Sequence, residues 1–267
     1  MSKRVISAVV CFLVLFLVEL LEQHNIRKLS YSYWNGKNED RVDALEEQSL
    51  ETVSKAVLEE NSRKVYLSFD DGPSKNTEKV LDILKEEQVP ATFFLIGNQI
   101  NENTKDLVLR EKEEGHLIGV HTYSHEGKEI YASYETYMED FNKAEKAIMD
   151  VTGEQPVVCR FPFGSATDYL GKIASKVIPE LEARGYTYFD WNVSGEDSIG
   201  HPCGSQIYEN VKKDYDKYKE SVVLLHDSAG NQCTTEILKS VIKLYKEKGY
   251  TFDTLDHMEN PCQYARD

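Results

Sequence analysis

Basic residues are scarce in this chain of 267 residues: 31 lysines and arginines stand against 46 aspartates and glutamates, giving a formal net charge of −15. The chain therefore lacks the positive field with which proteins hold the phosphate backbone of nucleic acids, and we expect no nucleic-acid partner. Apolar residues are not scarce, since 40% of the chain is hydrophobic. That content is enough to bury one sizeable core, which argues against a disordered or fibrous protein.

Cysteine is also scarce: there are five, and no pair has Cys-x-x-Cys spacing. This argues against a thiolate zinc knuckle. Four of them, Cys159, Cys203, Cys233 and Cys262, could pair if the domain lies outside the cytoplasm. We favour Cys203 with Cys233, because both lie in loop-like sequence containing Gly and Pro. Buried free thiols are an equal alternative.

An apolar run stands at the N-terminus, where Val5–Val18 follows Lys3 and Arg4 with Ser7 as its only polar residue. It predicts an export signal or a membrane anchor. Its length is marginal because spanning a bilayer takes about 20 apolar residues, but no Ala-x-Ala-like cleavage site follows. We therefore predict that residues 1–28 form a single-pass anchor in the cell membrane, with the basic end inside. Secretion after signal cleavage and a buried core helix are the alternatives.

Residues 29–61 are polar and acidic, although apolar residues from Val42 to Val57 fall near helical spacing. We interpret this segment as an acidic stalk between the membrane and a domain outside the cytoplasm. That domain is predicted to cover residues 62–267.

Short apolar runs alternate with helical patterns after residue 62: Val65–Phe69 and Ala91–Leu95 indicate strands, and Thr77–Gln88 between them indicates a helix. Three glycines follow charged helical stretches, as a left-handed helix stop requires; they are Gly115, Gly185 and Gly249. Further strands are predicted near Val157–Arg160, Tyr186–Trp191, Val222–Leu225 and Phe252–Thr254. About seven strands predict an α/β fold, either a distorted parallel barrel or an open parallel sheet.

Reactive side chains follow several of these predicted strands, at the carboxyl ends where parallel barrels carry their chemistry. His121 and His125 are four residues apart and would face the same way on a helical turn, as zinc ligands do. A carboxylate from Asp70 or Asp71 would complete a metal site with open positions for water and substrate. Adjacent strand residues point to opposite faces, so we expect one aspartate to bind metal and the other to act as a base.

Four ordered motifs resemble those of the polysaccharide deacetylases with NodB homology, carbohydrate esterase family 4, over about residues 63–257. Ser68–Pro73 is similar to the family's Thr/Ser-Phe-Asp-Asp-Gly-Pro motif and His121–His125 to its His-Ser/Thr-x-x-His motif. Arg160–Gly164 is similar to Arg-x-Pro-Tyr-Gly, and Leu224–His226 to the last motif. The resemblance implies a NodB-like barrel and an enzyme that releases acetate from a polysaccharide.

The resemblance also implies roles for individual residues. Asp71, His121 and His125 would hold a divalent metal, zinc before cobalt or another transition metal, with Asp70 as the general base and His226 as the general acid. Three further roles are implied: Arg160 would orient Asp70, the backbone N–H of Phe163 would donate to the oxyanion, and Leu225 would line the acetyl pocket. Arg160 as an ordinary ion-pair partner and Leu225 as a core residue are the alternatives.

Two positions depart from the family pattern. Phe163 stands where the family usually has Tyr, which keeps the backbone donor and loses a phenol. Ser194 stands where an acid that tunes the catalytic histidine is often found, and Asp197 is the candidate substitute. Trp191, in the same segment, would stack on a sugar ring or pack in the core.

The predicted function is metal-dependent hydrolysis of N-acetyl groups from N-acetylglucosamine-type residues of a cell-surface polysaccharide, with peptidoglycan as the first candidate. The predicted membrane tether favours a substrate fixed at the cell surface. Chitooligosaccharide and O-acetylated xylan are alternative substrates. A catalytically silent glycan-binding module on the same fold is the alternative from another class. We predict no protein partner.

Overall fold

The computed structural model describes residues 63–200 and 202–264. The predicted anchor (1–28) and stalk (29–61) lie outside the described residues. Among those that are described, no helix combines the length and apolar character needed to cross a membrane.

A single parallel sheet forms the centre of the domain. Seven strands follow one another in the order β5-β4-β3-β2-β1-β7-β6 and curl into a half-barrel, and β8 pairs with the start of β1. The strands are β1 (Arg63–Gly72), β2 (Thr92–Leu95), β3 (Leu117–Val120), β4 (Val158–Cys159), β5 (Thr187–Tyr188), β6 (Val193–Ser194), β7 (Glu220–His226) and β8 (Tyr250–Phe252). This confirms the α/β prediction; the predicted strand Tyr186–Trp191 is shorter than expected, and β6 follows it as a separate strand.

Helices connect the strands of this sheet. Within the described residues they are α1 (Lys75–Glu87), α2 (Lys105–Glu113), α3 (Gly127–Ile130), α4 (Tyr134–Thr152), α5 (Asp168–Gly171), α6 (Ala174–Ala183), α7 (Gly204–Asp214) and α8 (Gln232–Glu247), with 3-10 turns at Gly97–Gln99 and Leu255–His257. Ser74 and Ser133 begin α1 and α4 with reciprocal capping boxes. The predicted glycine stops are confirmed by left-handed φ values of 81°, 87° and 74° at Gly115, Gly185 and Gly249.

Side chains along β1 alternate between two apolar clusters. Leu67 and Phe69 belong to the larger cluster, which includes the buried faces of the helices, whereas Tyr66 belongs to a smaller cluster with residues such as Phe94 and Val222. Because successive strand residues point to opposite faces, Asp70 lies on the same side of the sheet as Tyr66. The inner side of the half-barrel therefore carries the first reactive carboxylate.

The four cysteines among the described residues are free thiols, so the favoured pairing of Cys203 with Cys233 was wrong. The loop-like sequence is in fact the start of two helices. Cys203 occupies the N-cap position of α7, with its Sγ 3.1 Å from the Ser205 hydroxyl, and Cys233 lies in the first turn of α8.

Candidate metal centre and active site

The end of β1 is irregular at the two aspartates. Its pairing with β2 shifts register between Asp70 and Gly72, and Asp71 has a left-handed φ of 72°. Any Cβ at position 72 would approach the Asp227 carboxylate to 2.5 Å, so glycine is required there. The bulge turns both aspartates toward one point: Asp70 Oδ2 and Asp71 Oδ1 lie 3.7 and 3.5 Å from His121 Nε2. The expectation that they point to opposite faces was wrong for this reason.

The segment from His121 to His125 is an irregular loop rather than the expected helical turn. Thr122 and His125 have left-handed φ values of 67° and 57°, which fold the loop back on itself. Asp140 of α4 accepts hydrogen bonds from the Tyr123 N–H at 2.6 Å and from the Ser124 N–H at 3.2 Å. The loop geometry is therefore held by a carboxylate from a neighbouring helix.

Three potential metal ligands converge at this loop. Asp71 Oδ1 lies 3.5 Å from His121 Nε2 and 3.4 Å from His125 Nε2, and the ligand atoms all lie within 4.8 Å of one another. Ligands about 2.1 Å from a tetrahedral metal are about 3.4 Å apart, so the spacing suits zinc or a similar divalent ion. Asp71 Oδ1 is also buried without a hydrogen-bond partner among the described residues, as an unshared ligand atom would be.

The protonation state of His121 also suits a ligand. Its Nδ1 lies 2.9 Å from the carbonyl oxygen of Arg160. An N–H donated to that carbonyl fixes the tautomer that leaves Nε2 with a free electron pair. Burial lowers the pKa of His121, against the opposing charge of Asp70, and so favours the neutral ring.

Arg160 is fully buried and binds Asp70 directly. Its Nη1 donates to Asp70 Oδ1 at 2.9 Å and to the Ser68 hydroxyl at 2.8 Å, while Nε donates to the carbonyl of Phe189 at 3.0 Å. Burial by itself would raise the pKa of Asp70, but the charges of Arg160, His121 and His226, with the hydrogen bond from Arg160, together lower that pKa. The carboxylate is therefore ionised and fixed in orientation, with Oδ2 toward His121.

His226 lies beside Asp70 at the end of the adjacent strand, since the two are partners in the β1–β7 register. Asp197 holds it from behind: Oδ1 lies 2.8 Å from His226 Nδ1, and Oδ2 accepts from the His226 backbone N–H at 2.8 Å and from the Thr234 hydroxyl at 2.6 Å. Burial by itself would lower the pKa of His226, but Asp197, with the charges of Asp70 and Asp71, raises it to about 9. The structure thus brings Asp197 to the histidine despite Ser194 at the family's usual position.

Phe163 projects its ring beside the metal ligands. Its backbone has a left-handed φ of 69°, and its N–H donates to no acceptor in the described part of the chain. Its ring centroid lies 5.3 Å from that of His125. Trp191 is half-buried over Arg160, with its ring 5.8 Å from the guanidinium carbon and 5.4 Å from the ring of Tyr264.

Leu225 does not lie where the sequence placed it. It is fully buried in the cluster between the sheet and the helices, and it is paired in register with Phe69. Asp70 and His226 are on the opposite side of the same two strands. Leu224, two residues before His226 and 6% exposed, shares the side of the site. Leu225 therefore occupies the core position that was its alternative, and Leu224 is the neighbouring side chain on the side of the site.

Sequence reasoning missed three residues that hold the site together: Asp140, Thr234 and Ser68. Asp140 lies within α4, among several other acidic residues of that helix, and Thr234 lies in the first turn of α8. Neither has a local signal of its contact, because the partner is distant in the chain. Ser68 was quoted only as part of a motif, although its hydroxyl accepts from Arg160.

The chain is similar to known proteins in both sequence and structure. The family model described as polysaccharide deacetylase matches residues 58–178. A peptidoglycan-N-acetylglucosamine deacetylase of Bacillus cereus is 32% identical over 226 residues, which cover 81% of this chain and 80% of the relative.

Two solved structures share the fold. The catalytic domain of a peptidoglycan N-acetylglucosamine deacetylase from Eubacterium rectale superposes with a TM-score of 0.71 at 30% identity, covering 77% of this chain and 94% of that one. A family 4 acetyl xylan esterase from Clostridium thermocellum, solved with a cobalt ion, superposes with a TM-score of 0.63 at 26% identity, covering 73% of this chain and 89% of that one.

Proposed function

We propose, from the premise that this chain belongs to the polysaccharide deacetylase family, that it removes N-acetyl groups from N-acetylglucosamine residues of peptidoglycan in a metal-dependent reaction. The observation that carries the proposal is the convergence of Asp71, His121 and His125 beside the Asp70–Arg160 pair and the His226–Asp197 pair. Hydrolysis of an amide needs an activated water, a base and an acid, and the site offers a group for each.

Asp71, His121 and His125 would hold a divalent cation, zinc or cobalt in our proposal, which would polarise the acetamide carbonyl and lower the pKa of a bound water. Asp70, kept ionised by Arg160, accepts the proton of the attacking water. The Phe163 N–H donates a hydrogen bond to the oxygen that gains negative charge.

His226 then delivers a proton to the sugar nitrogen as the C–N bond breaks, which releases acetate and leaves an amine. The proton is on the imidazole near neutral pH because Asp197, with the charges of Asp70 and Asp71, raises the pKa of His226 to about 9. Asp197 accepts from Nδ1 at 2.8 Å and so leaves the proton on Nε2 for transfer.

The choice of peptidoglycan is supported by the names of relatives, which include peptidoglycan-N-acetylglucosamine deacetylases of Bacillus cereus and Eubacterium rectale. The predicted N-terminal anchor and stalk support the same substrate, because an enzyme held at the cell surface meets a polymer fixed there. We propose that the catalytic domain lies outside the cytoplasm, joined to the membrane through residues 1–28. Chitooligosaccharide and acetylated xylan are the other substrates to be compared.

Acetate release by the full-length chain tests the proposal. The chain is treated with chelator, supplied again with zinc or cobalt, and assayed on peptidoglycan, chitooligosaccharide and acetylated xylan. We expect metal-restored release, highest on peptidoglycan, and a loss of at least about 100-fold in Asp70→Asn. Asp82→Asn, which changes a carboxylate 67% exposed on α1, is the matched control and should retain activity.

The same assay separates the alternatives. Release that is unaffected by Asp70→Asn would overturn the assignment of the base. Binding of glycan by a folded chain that releases acetate from no substrate with any metal would favour the silent binding module.

A further inference from the structure

Two large aromatic side chains form an exposed surface next to the metal ligands, which we call the aromatic shelf. Phe163 is 57% exposed and Tyr169 of α5 is 44% exposed, and their ring centroids are 6.1 Å apart with the planes at 45°. Contact between this much aromatic surface and water is unfavourable. Adjoining exposed rings of this kind mark binding surfaces.

The aromatic shelf is supported by a stack of partly and fully buried tyrosine rings. The ring of Tyr169 stacks on Tyr131 at 6.3 Å and 15°, and Tyr131 stacks in turn on the buried Tyr137 at 5.5 Å and 17°. The Tyr131 hydroxyl donates to the carbonyl of Pro162 at 3.1 Å, which ties the stack to the segment carrying Phe163. A ligand that binds the shelf therefore need not order it first.

A glycine makes room for the other ring. A Cβ at Gly127 would lie 2.5 Å from Cε2 of Phe163, so the ring rests directly on the backbone at the start of α3. The same ring also contacts His125, with ring centroids 5.3 Å apart and planes at 61°. The shelf is thus continuous with the metal ligands and extends away from them toward Tyr169.

We infer that the aromatic shelf binds the apolar face of a second sugar ring, adjacent in the polysaccharide to the ring that loses its acetyl group. This inference rests on the function proposed above, since it assumes a glycan substrate. A pyranose ring presents C–H groups on its faces and hydroxyls at its rim, which suits flat aromatic side chains with few polar groups. The reacting acetamide must lie at the ligands, so a chain that passes over His125 and Phe163 brings its neighbouring unit to Tyr169.

Dependence on substrate length tests this inference. The full-length chain and its variants are assayed for kcat/KM on N-acetylglucosamine oligomers, from the shortest that is turned over to a pentamer. We expect Tyr169→Ala to lower kcat/KM about tenfold on the pentamer, through KM, with a much smaller loss on the shortest oligomer. Tyr169→Phe, which retains the ring, should restore the pentamer value. Tyr218→Ala removes a tyrosine of similar exposure, 41%, in the loop before β7, and should change neither value.

Equal losses on short and long oligomers, or no loss, would overturn the inference. Calorimetric binding of the pentamer to the same variants gives an answer that does not depend on turnover. If wild type releases no acetate, the proposed function fails, yet weaker binding in Tyr169→Ala than in Tyr218→Ala would still support the shelf. If Tyr169→Ala instead weakens binding only of peptidoglycan fragments that carry stem peptides, the shelf binds peptide and the inference is wrong. Thermal melting of each variant identifies any that fail to fold.

Discussion

His226 and Asp197 form a buried pair in which Nδ1 of the imidazole lies 2.8 Å from Oδ1 of the carboxylate. The same carboxylate also accepts from the backbone of His226 and from the hydroxyl of Thr234. The pair therefore fixes both the position of the ring and its tautomer, and Asp197 raises the pKa of His226. Ser194 stands at the usual position of such an acid. Asp197, three residues further along the chain, contacts the histidine in its place.

Replacing Asp197 should move the pH dependence of catalysis. A general acid acts while it is protonated, so activity is lost as the pH rises through the pKa of His226, which is about 9. In Asp197→Asn the pKa falls toward its ordinary value of about 6.5, and the alkaline limb of the kcat profile should move to lower pH by the same amount. We expect kcat near neutral pH to fall about 10- to 100-fold. Glu196→Gln, at the exposed neighbouring residue, is the control. An unchanged alkaline limb would contradict the role of the pair.

Metal binding should be visible in thermal stability as well as in activity. A ligand that binds only the folded state at 100 times its Kd stabilises by about 2.7 kcal/mol. For a domain of this size we expect zinc to raise Tm by about 5 to 10 °C. His125→Ala should remove most of this shift, whereas His257→Ala, at a histidine 63% exposed and paired with Asp253, should keep it. A zinc-induced shift that survives in His125→Ala would place the ion elsewhere.

The fold and most of the site could be predicted because their signals are local. The apolar run before Asp70, interrupted only by Ser68, indicates a strand buried on both faces, and β1 lies inside the parallel sheet with strands on either side. His121 and His125 follow β3 and His226 ends β7, so a parallel sheet brings them to one edge.

The expectation for the orientation of Asp71 was wrong because that orientation depends on contacts between residues that are distant in the chain. Asp71 adopts a left-handed conformation, which is uncommon for residues other than glycine, and only the bulge at the end of β1 requires it. The position of Leu225 was not predicted for another reason. Side chains alternate along a strand, so an error of one residue in the assignment moves a side chain from the site to the helix-facing core.

Asp140 should prove necessary for activity although it lies outside every motif. It accepts hydrogen bonds from the backbone of Tyr123 and Ser124 and so positions the loop that carries both histidine ligands. Asp140→Ala leaves these two N–H groups without their acceptor, and a shift of about 1 Å in a catalytic group can cost about 100-fold in rate. We expect a loss of that order in kcat/KM together with weaker zinc binding. Asp150→Ala, at an acidic residue 61% exposed on the same helix, should retain both properties.

Leu224 and Leu225 provide a test of which side of β7 faces the substrate. Leu225 is fully buried against the helix layer, where its Cδ2 would lie 2.7 Å from a Cβ at Gly195. Leu225→Ala should therefore lower the free energy of unfolding by about 2 to 5 kcal/mol, with KM for the folded enzyme unchanged. Leu224→Ala should raise KM instead, because that side chain shares the side of His226. Urea unfolding and steady-state kinetics on the same two variants separate the effects. If Leu225→Ala raised KM while Leu224→Ala did not, the acetyl pocket would belong to Leu225 after all, and the side of the strand assigned here to the site would be wrong.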